Sequence, residues 1–70
     1  MDKTIASREL QIERKHLVVE FRENDRGQFL RITEEAHGRR NTIIVPSTGL
    51  TEFVEAIDGV LAEAGQAQPA

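Results

Sequence analysis

Seventy residues carry twelve acids and nine bases, for a formal net charge of −3, and no cysteine. A chain this short buries only about 60% of its unfolded surface, so its core is marginal when alone. Disulfides are excluded and the commonest zinc ligands are missing, and His16 and His37 lie far apart without a ligand-spaced carboxylate pattern. No metal or other cofactor is expected, which leaves a partner subunit as the remaining supplement to the core. A homodimer is therefore expected. No apolar run approaches the ~20 residues of a membrane helix, and the polar start MDKTIASRE does not read as a signal peptide. The lack of cysteine fits a reducing cytoplasm.

The first predicted strand runs from about Thr4 to Glu13, with Leu10 and Ile12 inward and Glu9, Gln11 and Glu13 outward. Arg14-Lys15 makes a tight turn into a second strand from about His16 to Glu23. The polar Asn24-Asp25-Arg26-Gly27 follows, in which Asn and Asp bond locally and Gly accepts positive φ. A third strand spans about Gln28 to Glu35, and Glu34 to Arg40, EEAHGRR, is expected as a polar loop. The fourth strand, Asn41 to Val45, is stopped by Pro46, which cannot donate to a ladder. Ser47 and Thr48 are expected helix N-caps, with Glu52 in the first turn where the dipole favours an acid. Leu50, Phe53, Val54, Ile57, Leu61 and Ala64 then recur at helical spacing. Gly59 inside the helix costs about 1 kcal/mol relative to alanine, so close packing is expected there. Gly65 is the expected stop, followed by a flexible tail over 65–70; residues 1–64 form one domain. The fold class is α+β: a four-stranded antiparallel meander plus one C-terminal helix behind it, which leaves the second sheet face wet.

Alternation assigns the side chains of the central hairpin to the two faces. Leu17, Val19 and Phe21 share one face with Leu30 and Ile32, while Arg22, Phe29 and Arg31 share the other with Glu20 and Thr33. An aromatic ring between guanidinium groups on an open sheet is an arrangement that grips unpaired bases. All nine bases, seven of them arginine, lie within residues 1–40 beside eight acids, whereas the segment from Ser47 onward holds four acids and no base. The local field, more than the total charge, decides what a surface attracts. A plainer reading also fits the same residues. Phe29 fills a dimer seam or shields the hairpin with Val18, and Arg22, Arg26 and Arg31 pair across strands with Glu20 and Glu23, each pair worth a fraction of a kcal/mol. Arg39 and Arg40 are either phosphate contacts or solvated charges. Glu34 and Glu35 point to opposite faces and form no acid/base pair, and no nucleophile set or phosphate-cradling loop is present, so no enzyme is expected.

The stretches LQIERKHLVVEFRENDRGQFLRITE and RRNTIIVPSTG, with the acidic helix beginning TEFVEAI, resemble the repeat of the PUR family of purine-rich-element binding proteins. The combination of E-N-x-R-G-x-F-L-x-I with a later T-I-I-V-P-S carries the likeness, over about three-quarters of the chain. The resemblance implies a Whirly-like ββββα repeat, two of which intertwine by crossing their helices. For a single repeat that means a homodimer, which suits a bacterial cytoplasm or nucleoid. It also implies binding of single-stranded, purine-rich DNA or RNA on the curved sheet, in the service of transcription or RNA use. By the same resemblance Arg22, Asn24 and Arg26 fall where bases and phosphates are contacted. Phe29 falls where a ring stacks against bases, and Arg14 and Lys15 lie at a second contacting turn. Arg31 adds to the electrostatic capture, and Asn24 offers a donor and an acceptor to a base edge. Leu17-Val18 replaces the Phe-Tyr of many relatives, and Glu13, Asp25 and Gln28 stand where basic or neutral residues are common. Weaker binding than that of the eukaryotic members follows. The competing expectation is a homodimeric protein-interaction or scaffold module that has kept the fold and lost the binding face.

Overall fold

A computed structural model describes residues 2–65; the tail expected beyond Gly65 lies outside the described residues. Four strands, β1 (Lys3–Ile12), β2 (Lys15–Asn24), β3 (Gly27–Ala36) and β4 (Arg39–Pro46), form one antiparallel sheet in the order β1-β2-β3-β4. A 3₁₀ turn, Ser47–Gly49, leads into helix α1 (Leu50–Glu63). The ββββα architecture read from the sequence is thus observed.

Three short turns fix the register. The β1–β2 turn is two residues long, between the paired Ile12 and Lys15, with Glu13 at φ 55°. Asn24 pairs with Gly27 across Asp25-Arg26, and Asn24 Oδ1 accepts the backbone N–H of Arg26 at 2.9 Å. Gly27, at φ 133°, supplies the conformation that an L side chain resists. The β3–β4 connection corrects the expected seven-residue loop. β3 continues to Ala36, β4 begins at Arg39, and only His37-Gly38 lies between them. His37 at φ 54° and Gly38 at φ 75° give the doubly left-handed bend that matches strand twist. A 3.0 Å ion pair between Glu35 and Arg40 holds the extended ladder, so polar residues that looked like loop are strand.

The register sorts the side chains into rows that run across all four strands. One face carries the rows Thr4–Arg22–Phe29–Pro46, Ser7–Glu20–Arg31–Ile44, Glu9–Val18–Thr33–Thr42 and Gln11–His16–Glu35–Arg40. The other carries Ala6–Phe21–Leu30–Val45, Arg8–Val19–Ile32–Ile43 and Leu10–Leu17–Glu34–Asn41. A bulge between Thr4 and Ala6 shifts the phase of β1. Counting back by twos from Leu10 would place Thr4 on the apolar face; the extra residue turns it to the polar one.

The end of the chain departs from expectation in three respects. The N-cap of α1 is Gly49, with no side-chain cap bond, because Ser47 and Thr48 are consumed by the 3₁₀ turn that follows Pro46. A Cβ on Gly59 would meet nothing within 4 Å, so no close neighbour requires a glycine there. Most important, α1 does not lie across the sheet of its own chain. Its principal contacts are the preceding turn and the end of β4. The apolar sheet face is left open, with Leu10, Ile12 and Ile43 at 43%, 51% and 56% exposure, and so is the helix, with Val54, Ile57 and Val60 at 52%, 46% and 65%. The Cα radius of gyration, 13.9 Å, exceeds the roughly 11 Å of a compact domain of this length. None of the described residues is fully buried. The apolar faces form where the alternation put them, without a covering layer from the same chain.

Candidate nucleic-acid interface

The row Thr4–Arg22–Phe29–Pro46 and its neighbour Ser7–Glu20–Arg31–Ile44 lie at the β2–β3 turn end of the polar face. Around Phe29 the surface sinks into a concavity of about 500 Å³, walled by Arg26, Arg31, Ile44 and Pro46 and reached by Asn24 and Asp2. The ring is half-buried. It sits directly opposite Arg22 and one row from Arg31, a spacing at which guanidinium and ring side chains meet. β4 supplies Ile44 and Pro46 as an apolar margin to the ring.

Glu20 organises the cations here. Arg31 donates to Glu20 Oε1 from Nε at 2.9 Å and from Nη2 at 2.8 Å, and Arg22 Nη1 donates to Oε2 at 3.1 Å. Arg22 Nη1 also donates to Thr4 Oγ1, and its Nε lies 3.9 Å from Asp2 Oδ2. The side chains of Arg22 and Glu20 are each 14% exposed, and that of Arg31 is 33% exposed. Arg22 is therefore held in the sheet surface as a strut, while Arg31 keeps Nη1 clear of Glu20. The cross-strand pairing weighed from the sequence is present for both. Glu23, in contrast, takes its hydrogen bond from Gln28.

The other candidate residues divide between two ends of the sheet. Asn24 and Arg26 stand at the β2–β3 turn beside Phe29. Asn24 departs from the expectation that it offers both an acceptor and a donor, because its carbonyl oxygen closes the turn and its amide nitrogen alone is left. Arg26 is exposed, with no ion pair among the described residues. Arg14 and Lys15 are at the opposite end, where Lys15 Nζ pairs with Glu34 at 3.0 Å and Arg14 is exposed. Sequence reasoning missed the part of Thr4 and Asp2 in holding Arg22, since nothing in the alternation announces the bulge. It had placed Ile44 on this face, but Pro46 opposite Phe29 depended on the length of the last turn.

The electrostatics of the face favour ionised carboxylates. The hydrogen bond from Arg31, with the charges of Arg31 and Arg22, holds the Glu20 carboxyl below its ordinary value of 4.5 against the opposing effect of desolvation. A hydrogen bond from Lys15 does the same for Glu34, and one from Arg40 for Glu35. A carboxylate whose pKa is depressed by folding contributes stability above its unfolded value, and that contribution is lost as pH falls through the folded one. Stability should therefore decline below about pH 4.5, and Glu20→Gln should flatten that decline in denaturant midpoints measured from pH 6 to 3. An acid limb identical in the variant would show that Glu20 takes no part.

On this geometry the comparisons with known proteins can be set. Residues 1–69 match the family model described as PurA ssDNA and RNA-binding protein. The chain is 41% identical over 54 residues to Transcription factor Pur-alpha 1 of Arabidopsis thaliana, a stretch that is 77% of this chain and 18% of that protein. It is 38% identical over 56 residues to Transcriptional activator plp-1 of Caenorhabditis elegans, 77% of this chain and 25% of that protein. The chain belongs to the PurA family, a family of nucleic-acid-binding proteins, and it spans a quarter or less of the length of these relatives. No helix among the described residues is long and apolar enough to cross a membrane.

Proposed function

We propose that this chain binds single-stranded DNA or RNA on the polar sheet face, as a homodimer whose second copy covers the apolar faces. The observation that carries the reading is Phe29. It is an aromatic ring set in an open concavity, with Arg26 and the free edge of Arg31 on its rim and no helix of its own chain above the sheet. Bases stack on such a ring whatever their identity, and phosphates are drawn to the flanking cations. Membership in the PurA family supports the same ligand, and its printed description names single-stranded DNA and RNA.

The residues then take distinct parts. Phe29 is the stacking platform, Arg26 and Arg31 meet phosphates, and the Asn24 amide donates to a base edge. Arg22 fixes Glu20, and Glu20 aims Arg31. Arg14 and Lys15 are backbone contacts at the far end. The purine-rich preference implied by the resemblance would arise from stacking, since a purine offers the larger ring system. Control of transcription or of RNA use is the role such binding would serve, and no catalytic step is assigned.

Fluorescence anisotropy with purine-rich and pyrimidine-rich strands across a salt series tests the reading. Expected are binding at low salt, the purine strand held tighter, and a linear fall of log affinity with log salt. The commitment of Arg22 and Arg31 to Glu20 favours a second reading, a scaffold dimer whose polar face is neutralised within itself. Absence of binding to either strand at low salt would decide for the scaffold.

A further inference from the structure

The meander brings two turns together at the end of the sheet away from Phe29. Arg14 of the β1–β2 turn lines one surface cavity with Lys15 and His37, and a second with His37, Gly38, Arg39 and Arg40 of the β3–β4 turn. This convergence depends on the tight His37-Gly38 bend. Had residues 34–40 formed a loop, Arg39 and Arg40 would not be fixed beside Arg14.

The charges at this end are unequally used. Lys15 is paired with Glu34 and Arg40 with Glu35, yet their side chains remain 58% and 68% exposed. Arg14 and Arg39 are exposed and make no ion pair among the described residues. Glu13 is the further acid beside them. Two free guanidinium groups, with two partly screened cations behind them, are positioned to take anionic oxygens bidentately. β2 and β3 are ten residues each, so about 30 Å separates this cluster from the Phe29 end.

We propose that the β1–β2 and β3–β4 turns form a second phosphate-binding site, centred on Arg14 and Arg39. It grips the backbone of a strand whose bases are engaged at Phe29. The proposal rests on the single-strand reading and extends it. The ligand is held at both ends of the polar face, by stacking at one and by phosphodiester charge alone at the other. The β3–β4 turn thereby sets how long a strand the protein needs, while contributing nothing to which bases it prefers.

The test compares wild type, an Arg14→Ala/Arg39→Ala double variant and Phe29→Ala, each on a short and a long single strand across a salt series. Each lost single-strand phosphate contact lowers the salt slope by about 0.7, so the double variant should be shallower by about 1.4 on the long strand. It should also lose the affinity gained in going from the short strand to the long one, with its purine preference intact. Phe29→Ala should weaken both strands with its slope unchanged. A double variant with the wild-type slope and the wild-type gain with length overturns this site and leaves the single-strand reading standing. Wild-type protein that binds neither strand at low salt overturns both.

Discussion

Ile57→Asp is expected to remove the folded dimer. Ile57 stands at the centre of the apolar arc of α1, among Leu50, Phe53, Val54, Val60, Leu61 and Ala64, and is 46% exposed within its own chain. The helix leaves its own sheet uncovered, and that sheet exposes Leu10, Ile12 and Ile43 in turn. With no fully buried residue among those described, one copy has no interior from which to draw stability. If a second copy closes these faces, a carboxylate at position 57 loses about 1.5–3 kcal/mol of apolar burial and adds the cost of desolvating a charge. Small domains have ~5–15 kcal/mol in all. Sedimentation should show the dimer lost, circular dichroism should show no cooperative melt, and the wild-type midpoint should rise with protein concentration. Glu55→Gln, on the opposite side of the helix, is the control that should change neither. An Ile57→Asp protein with wild-type mass and melting would show that this face covers nothing.

Phe29→Ala is expected to weaken single-strand binding by about five- to 150-fold, which corresponds to the 1–3 kcal/mol of one stacked base. Because the ring carries no charge, the loss should be the same at every salt concentration, unlike the loss from removing an arginine. The substitution leaves Arg31 and Arg22 on Glu20, so the cations stay where they are. Purine preference should shrink along with affinity. A folded Phe29→Ala dimer that binds as tightly as wild type would refute the stacking platform.

Much of this molecule could be read from its order of residues, for identifiable reasons. A period of two is unambiguous in β2 and β3, where both strands alternate from end to end, and the observed register places Arg22, Phe29, Arg31 and Glu20 together as that period requires. The helix was equally clear from its spacing of apolar positions. What escaped notice was set by single backbone conformations. His37 takes a left-handed φ that its side chain disfavours, so a run of polar residues became a hairpin and carried Arg39 and Arg40 to the sheet end. Ser47 and Thr48 carry the chemistry of helix caps, yet the chain entered a 3₁₀ turn first. The resting place of the helix could not be read either. An apolar stripe reports that something must cover it, without reporting which chain that is.

The irregularity in β1 has a further bearing on how mutations in this protein will be interpreted. Odd and even positions exchange sides on crossing Ile5, so parity learned between Ala6 and Ile12 gives the wrong answer for Lys3 and Thr4. Lengthening or shortening the chain by one residue at that point would rotate the Thr4 hydroxyl out of reach of Arg22 and release a guanidinium that is now tethered. The N-terminal tip of the sheet is thus a mechanical key, tuned by the length of the chain more than by its composition.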